Sequence, residues 1–219
     1  MKLKIIKPKV FIESKFKGER LLKNLERYGR VCYKSEDKIT PGSARKFLAM
    51  ILKSGHESVI EHEKITVRVI CDRGVTHEIV RHRIASYSQE STRYCNYKSH
   101  GIEVIKPLFF ADRKKYKIWR KAMIDCETAY NKLIESGASP QEARSVLPNS
   151  LKTEIIITYN LREWRHFFKL RCSKKAHPQM REIAIPLLQK FQNRIPVIFD
   201  DFVILEDETL SYPFYVKQL

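Results

Sequence analysis

Apolar and polar residues alternate through Ile65, Val67, Val69 and Cys71, with Thr66 and Arg68 between them, which predicts a strand buried on one face. The same period of two returns at Leu151, Thr153, Ile155, Ile157 and Tyr159 and predicts a second strand ending at Asn160. Elsewhere the period lengthens to three and four. Leu21, Leu22, Leu25 and Tyr28 give one apolar stripe to a helix over 19–33. Thr40-Pro41, a capping residue followed by proline, starts a second helix that runs through Phe47, Leu48 and Ile51 to Gly55. The longest helix, 111–136, has Tyr116, Trp119, Met123, Cys126, Tyr130 and Leu133 as its core face and stops at Gly137. Ser139-Pro140-Gln141-Glu142 then reads as a capping box that opens a short helix. A helix over 161–171 follows the second strand directly, and a final one, carrying Ile183, Leu187, Leu188 and Phe191, is expected to kink or restart at Pro186. Shorter pieces are an edge strand over 4–12 around Pro8, a short helix over 74–83 and a strand end over 103–107.

No internal repeat, low-complexity linker or composition break interrupts the 219 residues, so one domain spanning 1–219 is expected. No stretch approaches the roughly 20 apolar residues of a membrane span, and lysines interrupt the apolar character of the first ten residues. A cytoplasmic protein is expected. The five cysteines are odd in number and widely separated, with no Cys-x-x-Cys pair for zinc or thiol exchange, so reduced thiols are expected. Charge changes the picture most. Forty-two Lys and Arg against twenty-five Asp and Glu leave +17, which predicts attraction to polyanions: nucleic acid, nucleotides, dinucleotide cofactors or polyglutamate tails.

Residues 81–94 hold three arginines, a histidine, three serines and no glycine. Guanidinium groups bind phosphate through paired hydrogen bonds and hydroxyls fill the remaining positions, so the stretch reads as an anion site or as a basic surface loop. Just upstream, His77-Glu78-Ile79-Val80-Arg81-His82 imitates the zinc motif His-Glu-x-x-His. Histidines five apart on a helix point about 140° away from each other, which excludes that motif and leaves His82 as a packing histidine or a site group. On the 161–171 helix, Arg162, Arg165, His166 and Lys169 share a polar arc, and the first three read equally as a plain exposed face. Arg171 differs. With Leu161 at zero it lies at about 280°, among Trp164, Phe167 and Phe168, where a cation needs an anionic or strongly accepting partner unless it reaches solvent at the helix end.

The run Arg81-His82-Arg83, seven residues, then Ser91 resembles the signature of the flavin-dependent thymidylate synthases, and Ser91-Thr92-Arg93-Tyr94 resembles its continuation. Gly55-His56-Glu57-Ser58-Val59-Ile60-Glu61-His62 and Gln179-Met180-Arg181-Glu182 are similar to further blocks of that family, in the same order, so the resemblance covers roughly 30–184. It implies an α/β (α+β) single domain with a central, mostly antiparallel sheet flanked by helices, assembled as a homotetramer. It also implies conversion of dUMP to dTMP with FAD bound between subunits, methylenetetrahydrofolate as carbon donor and NADPH as reductant. The flavin positions it implies are His56, Ser58, Arg81, His82, Arg83, Gln89, Asn160, Arg162, His166 and, two residues further from Arg171 than is usual, His177. For dUMP it implies Glu78, Arg81, Gln89, Glu90, Ser91, Arg93 and Arg144, with Arg171 ionising N3 of the uracil; it implies no metal. Ser88, Gln89 and Glu78 depart from the common Asn, Glu and Gln of the family, which alters hydrogen bonding because an amide donates while a carboxylate only accepts. Two other classes remain: a basic nucleic-acid-binding protein, for which no recognisable motif is present, and a flavoprotein NADPH oxidase without methyl transfer.

Overall fold

The computed structural model describes residues 3–205 and the backbone of Leu210–Ser211. Proline decides the first element. The expected strand over 4–12 is two strands, β1 (Lys4–Ile6) and β2 (Lys9–Ile12), which join different sheets, because Pro8 between them offers no ladder donor. The chain continues through α1 (Gly18–Val31), α2 (Ser43–Lys53), a 3-10 turn at Glu57–His62, β3 (Lys64–Asp72), α3 (Arg73–Ile79), β4 (Ser86–Gln89) and β5 (Glu103–Ile105). It then forms α4 (Arg113–Glu135), α5 (Pro140–Ala143), a 3-10 turn at Arg144–Val146, β6 (Lys152–Asn160), α6 (Leu161–Arg171) and α7 (Pro178–Arg194), with a small antiparallel pair of β7 (Val203–Ile204) and β8 (Leu210–Ser211). This is an α/β chain with a mostly antiparallel central sheet in the strand order β2-β3-β6-β4. No described helix is long and apolar enough to cross a membrane.

Two compact units emerge. One comprises the residues up to Val10, Arg68–Arg81 and Tyr87–Ile156; the other comprises Phe11–Val67, His82–Ser86 and the residues from Ile157 onward. In the first, β1 and β5 pair in parallel with Ile5 opposite Val104, and Val104 also bridges Leu151. The α4 stripe closes this core: Trp119 and Met123 pack with Ile102, Val104 and Leu151, and Trp119 Nε1 donates to Ser150 Oγ at 3.1 Å. Asp72 caps α3 by accepting from the Val75 amide at 2.9 Å. The α3 helix ends at Ile79, earlier than the expected 83, because the Tyr87 hydroxyl takes the Ile79 carbonyl that another turn would have used. His82 is therefore not helical, and the reason it is unsuited to a zinc helix motif is the chain direction after Ile79 rather than a rotation about one axis.

In the second unit α1 and α2 approach closely at Gly29, where an added Cβ would sit 2.7 Å from the Phe47 ring. The α2 helix begins at Ser43, not at Thr40-Pro41. Gly42 takes a left-handed φ of 85°, which a helical residue cannot, while Ser43 Oγ accepts the Thr40 amide at 3.0 Å. Trp164, Phe167, Phe168, Phe191 and Phe199 form an aromatic core between α6, α7 and the segment after it, and Trp164 Nε1 donates to the Ile65 carbonyl at 3.0 Å. The Asn160 side chain caps α6 by accepting from the Glu163 amide at 2.8 Å. The expected restart at Pro186 is not observed: α7 runs unbroken past it, with the proline ring on the exposed side, clear of the core.

Candidate functional site

The second unit holds a buried polar chain built on α6. Counting from the Asn160 cap, Glu163 lies in the first turn, His166 one turn on and Arg171 at the end. His82, only 4% exposed, meets them: its Nδ1 lies 2.7 Å from Glu163 Oε1, and its Nε2 accepts from Arg171 Nε at 3.2 Å. Arg171 Nε–H can only donate, so Nε2 carries the lone pair and Nδ1 carries the single proton, which it gives to Glu163. Burial first, then the neighbouring Arg171 and His166, lower the His82 pKa to about 4. Burial raises that of Glu163, while burial with Lys169 and Arg171 lowers that of His166. Tyr159 and Phe167 pack against the His82 ring at 5.9 and 5.1 Å between centroids.

His82, Glu163 and His166 lie within ligand spacing of one another, the donor atoms all within 4.8 Å. They do not suit a metal ion. Both His82 nitrogens are engaged, one by Glu163 and one by Arg171, and the guanidinium adds a positive charge beside the would-be ion.

Beside this chain a cavity of about 410 Å³ is lined by Glu57, Glu61, Ile84, Asn160, Arg162, His166 and Lys169, among others. Arg162, exposed, is held by Glu61 at 2.5 Å and by Glu57 at 3.6 Å. Arg165 corrects the expectation of an exposed face. It is 4% exposed and forks onto both Asp201 oxygens at 2.7 and 2.6 Å, with further bonds to the Ile198 carbonyl and to Glu57. A second cavity, of about 850 Å³, is bordered by His56, whose Nδ1 lies 3.0 Å from the Tyr33 hydroxyl. Ser58 and Arg83 are exposed in this unit; His177 is exposed too and accepts the Gln179 amide at 3.3 Å as the cap of α7.

The first unit gathers a different set. Gln89 Nε2 donates to Thr76 Oγ1 at 3.0 Å and to Thr153 Oγ1 at 3.2 Å, which uses both amide protons. Glu90 accepts from the Tyr97 hydroxyl at 2.8 Å and from Lys152 Nζ at 3.0 Å, so its carboxylate is engaged within the unit. Burial, with Glu90 adding to it, raises the Tyr97 pKa and keeps that hydroxyl a donor. Ser91 and Glu78 are half-buried, while Arg81, Arg93 and Arg144 are exposed, the last on the 3-10 turn after α5.

Of the residues singled out from sequence, the structure brings together His82, His166 and Arg171, then Asn160, Arg162 and His166, and places Gln89 beside Glu90. Arg144 lies on the 3-10 turn after α5, and His177 serves as the cap of α7. Sequence reading missed Glu163, Tyr97 and Lys152. Glu163 showed only as an acid in a first helical turn, and its partner is 81 positions away.

Comparison with known proteins follows the same residues. The model of the family described as thymidylate synthase complementing protein matches residues 19–197. A flavin-dependent thymidylate synthase of Geobacter sulfurreducens is 38% identical over 180 residues, 78% of each chain. One of Pyrococcus furiosus is 39% identical over 171 residues, covering 76% of this chain and 70% of that protein. Among solved structures, the UMP/dUMP methylase PolB from Streptomyces cacaoi, bound with 5-Br dUMP, superposes with a TM-score of 0.77 at 24% identity, covering 90% of this chain and 95% of that one. At that identity the likeness is one of fold.

Proposed function

The chain belongs to the thymidylate synthase complementing protein family, whose curated relatives are flavin-dependent thymidylate synthases, and on that premise we propose that it is an enzyme methylating dUMP to dTMP with a bound flavin. The observation that carries the reading is Arg171, anchored through Nε on a neutral His82 that is itself oriented by Glu163. A neutral acceptor fixes the bearing of the guanidinium without cancelling its charge. Such a cation stabilises uracil deprotonated at N3, which makes C5 electron-rich enough to attack a one-carbon donor. His82 acts as a positioning residue in this scheme, and Arg171 is the catalytic one.

FAD is the flavin the residues suit. Lys169 on the 410 Å³ cavity brings a cation suited to a pyrophosphate, while Arg162, already paired with Glu61 and Glu57, borders the flavin together with His166 and Asn160. A bound flavin supplies the hydride chemistry no side chain has. His56, Ser58, Arg81, His82, Arg83 and Gln89 complete its surroundings on this reading, with His177 the outlying member. For dUMP, Ser91, Arg93 and Arg144 take the phosphate, while Glu78, Arg81, Gln89 and Glu90 border the ring. With both amide protons of Gln89 spent on threonine hydroxyls, only its carbonyl oxygen is left to meet a ligand, as an acceptor like the carboxylate common at that position, which supports keeping Gln89 in the uracil site. NADPH as reductant, methylenetetrahydrofolate as donor, a homotetramer and a cytoplasmic setting belong to the same proposal. So does a single domain, supported by a family match that runs from residue 19 to 197 through segments of both units. Light scattering reads the assembly directly.

The test is Arg171→Ala. It is expected to retain bound flavin and its reduction by NADPH, seen as bleaching of the visible band, while dTMP formation falls nearly to zero. Near-wild-type dTMP production by this variant removes Arg171 from the chemistry.

A further inference from the structure

The cavity of about 850 Å³ in the second unit touches the flavin assignment above only through His56, and its walls are selective. Phe47, Tyr33 and Met50 give it an apolar side, the last two being 54% and 51% exposed. Arg30 forms part of the floor. Its Nε donates to Glu26 at 2.8 Å, one terminal nitrogen pairs with the same carboxylate at 2.7 Å, the other reaches the Ser35 carbonyl, and the plane lies over Phe47 at 4.7 Å. All three guanidinium nitrogens are thus engaged, so Arg30 has no fork to offer a phosphate. Lys38 and Lys46, both exposed on the same cavity, have no ion pair among the described residues, and no carboxylate lines it.

An aromatic wall facing two uncompensated ammonium groups selects a planar ring attached to flexible negative charge. The volume is within the range of small-molecule sites. Lysines on mobile stems match carboxylates on a mobile chain, whereas phosphate is better served by a guanidinium fork, which is absent. The Tyr33 hydroxyl ties this wall to His56, one of the residues assigned to the flavin. We propose that this cavity receives the p-aminobenzoyl-glutamate arm of the folate donor, with Lys38 and Lys46 binding its carboxylates, including those of added glutamates. This identification of the occupant rests on the thymidylate synthase reading.

The test compares monoglutamyl and triglutamyl methylenetetrahydrofolate on the flavin-loaded enzyme and on Lys38→Glu/Lys46→Glu, two surface positions. In the wild type the triglutamate should have a KM lower by about ten-fold, the worth of two exposed charge contacts, and the gain should shrink as salt rises. In the double variant the gain should vanish, with the KM values for dUMP and NADPH unmoved. An undiminished gain in the variant, or none in the wild type, overturns the proposal; a rise in the NADPH KM instead assigns the cavity to a dinucleotide and overturns it as well. Direct calorimetry with p-aminobenzoyl-triglutamate separates this from the underlying reading. Binding lost in the double variant, in a protein that makes no dTMP, supports the cavity and sinks the enzyme assignment. The converse, dTMP formation with no such binding, leaves the enzyme and removes the cavity.

Discussion

Replacing His82 by Gln tests the tautomer argument through stability. His82 is buried between Glu163, Arg171 and His166, with a pKa near 4 in the fold against about 6.5 in a flexible chain. Between those values the unfolded chain takes up a proton that the folded one refuses, so stability falls as pH falls through that window and levels off below about 4. From about pH 7.5 to about pH 5 the wild type should therefore lose about 2 kcal/mol on account of this group. Glutamine cannot titrate, so the variant escapes that loss. Glu163, whose raised pKa acts in the opposite sense, is present in both proteins, and the glutamine amide can still donate to it. The exposed His166 remains in both proteins and largely cancels. Urea denaturation of the flavin-free proteins, followed by tryptophan fluorescence at the two pH values, gives the double difference. Trp164, which packs edge-on to Phe167, the ring against His82, reports the relevant unit. Equal acid losses in wild type and variant would show that His82 is protonated in the fold and that its bond with Arg171 is drawn wrongly.

Arg144→Ala should weaken dUMP binding about ten-fold or more, one charge-assisted phosphate contact, and should leave deoxyuridine binding alone; calorimetry with both ligands checks it. Arg165→Ala strips a buried fork from Asp201 and should cost about 3 to 5 kcal/mol, read as a lowered unfolding midpoint. Arg165→Lys should recover little of it, because one ammonium cannot reproduce two parallel bonds.

Where information is local, the sequence sufficed. The strands at Lys64–Asp72 and Lys152–Asn160 and the helix at Leu161–Arg171 follow from periods of two and about 3.6, and the capping box at Ser139 forms as read. Errors arose where a distant atom decided. Tyr87, in the next strand, ends α3, and a single left-handed glycine delays α2. The site behaved similarly. Arg171 on an apolar arc demanded an accepting partner, and one exists, but only the fold identifies it as His82, 89 positions away. Arg165 was misread because counting 100° per residue sees one helix and not the loop that folds over it.

That loop bears on how the protein can be divided. The matched family region ends at 197, yet Asp201, which answers the buried Arg165, lies four residues beyond it, and the Ile198 carbonyl, one residue beyond, takes the same guanidinium. A fragment trimmed to the homologous boundary would strip Arg165, on the helix that carries Arg171, of both its cover and its forked counterion, with Glu57 remaining. Residues at the margin of detectable kinship here serve the part of the chain that kinship describes best, and any shortened or fused version needs to extend past Asp201.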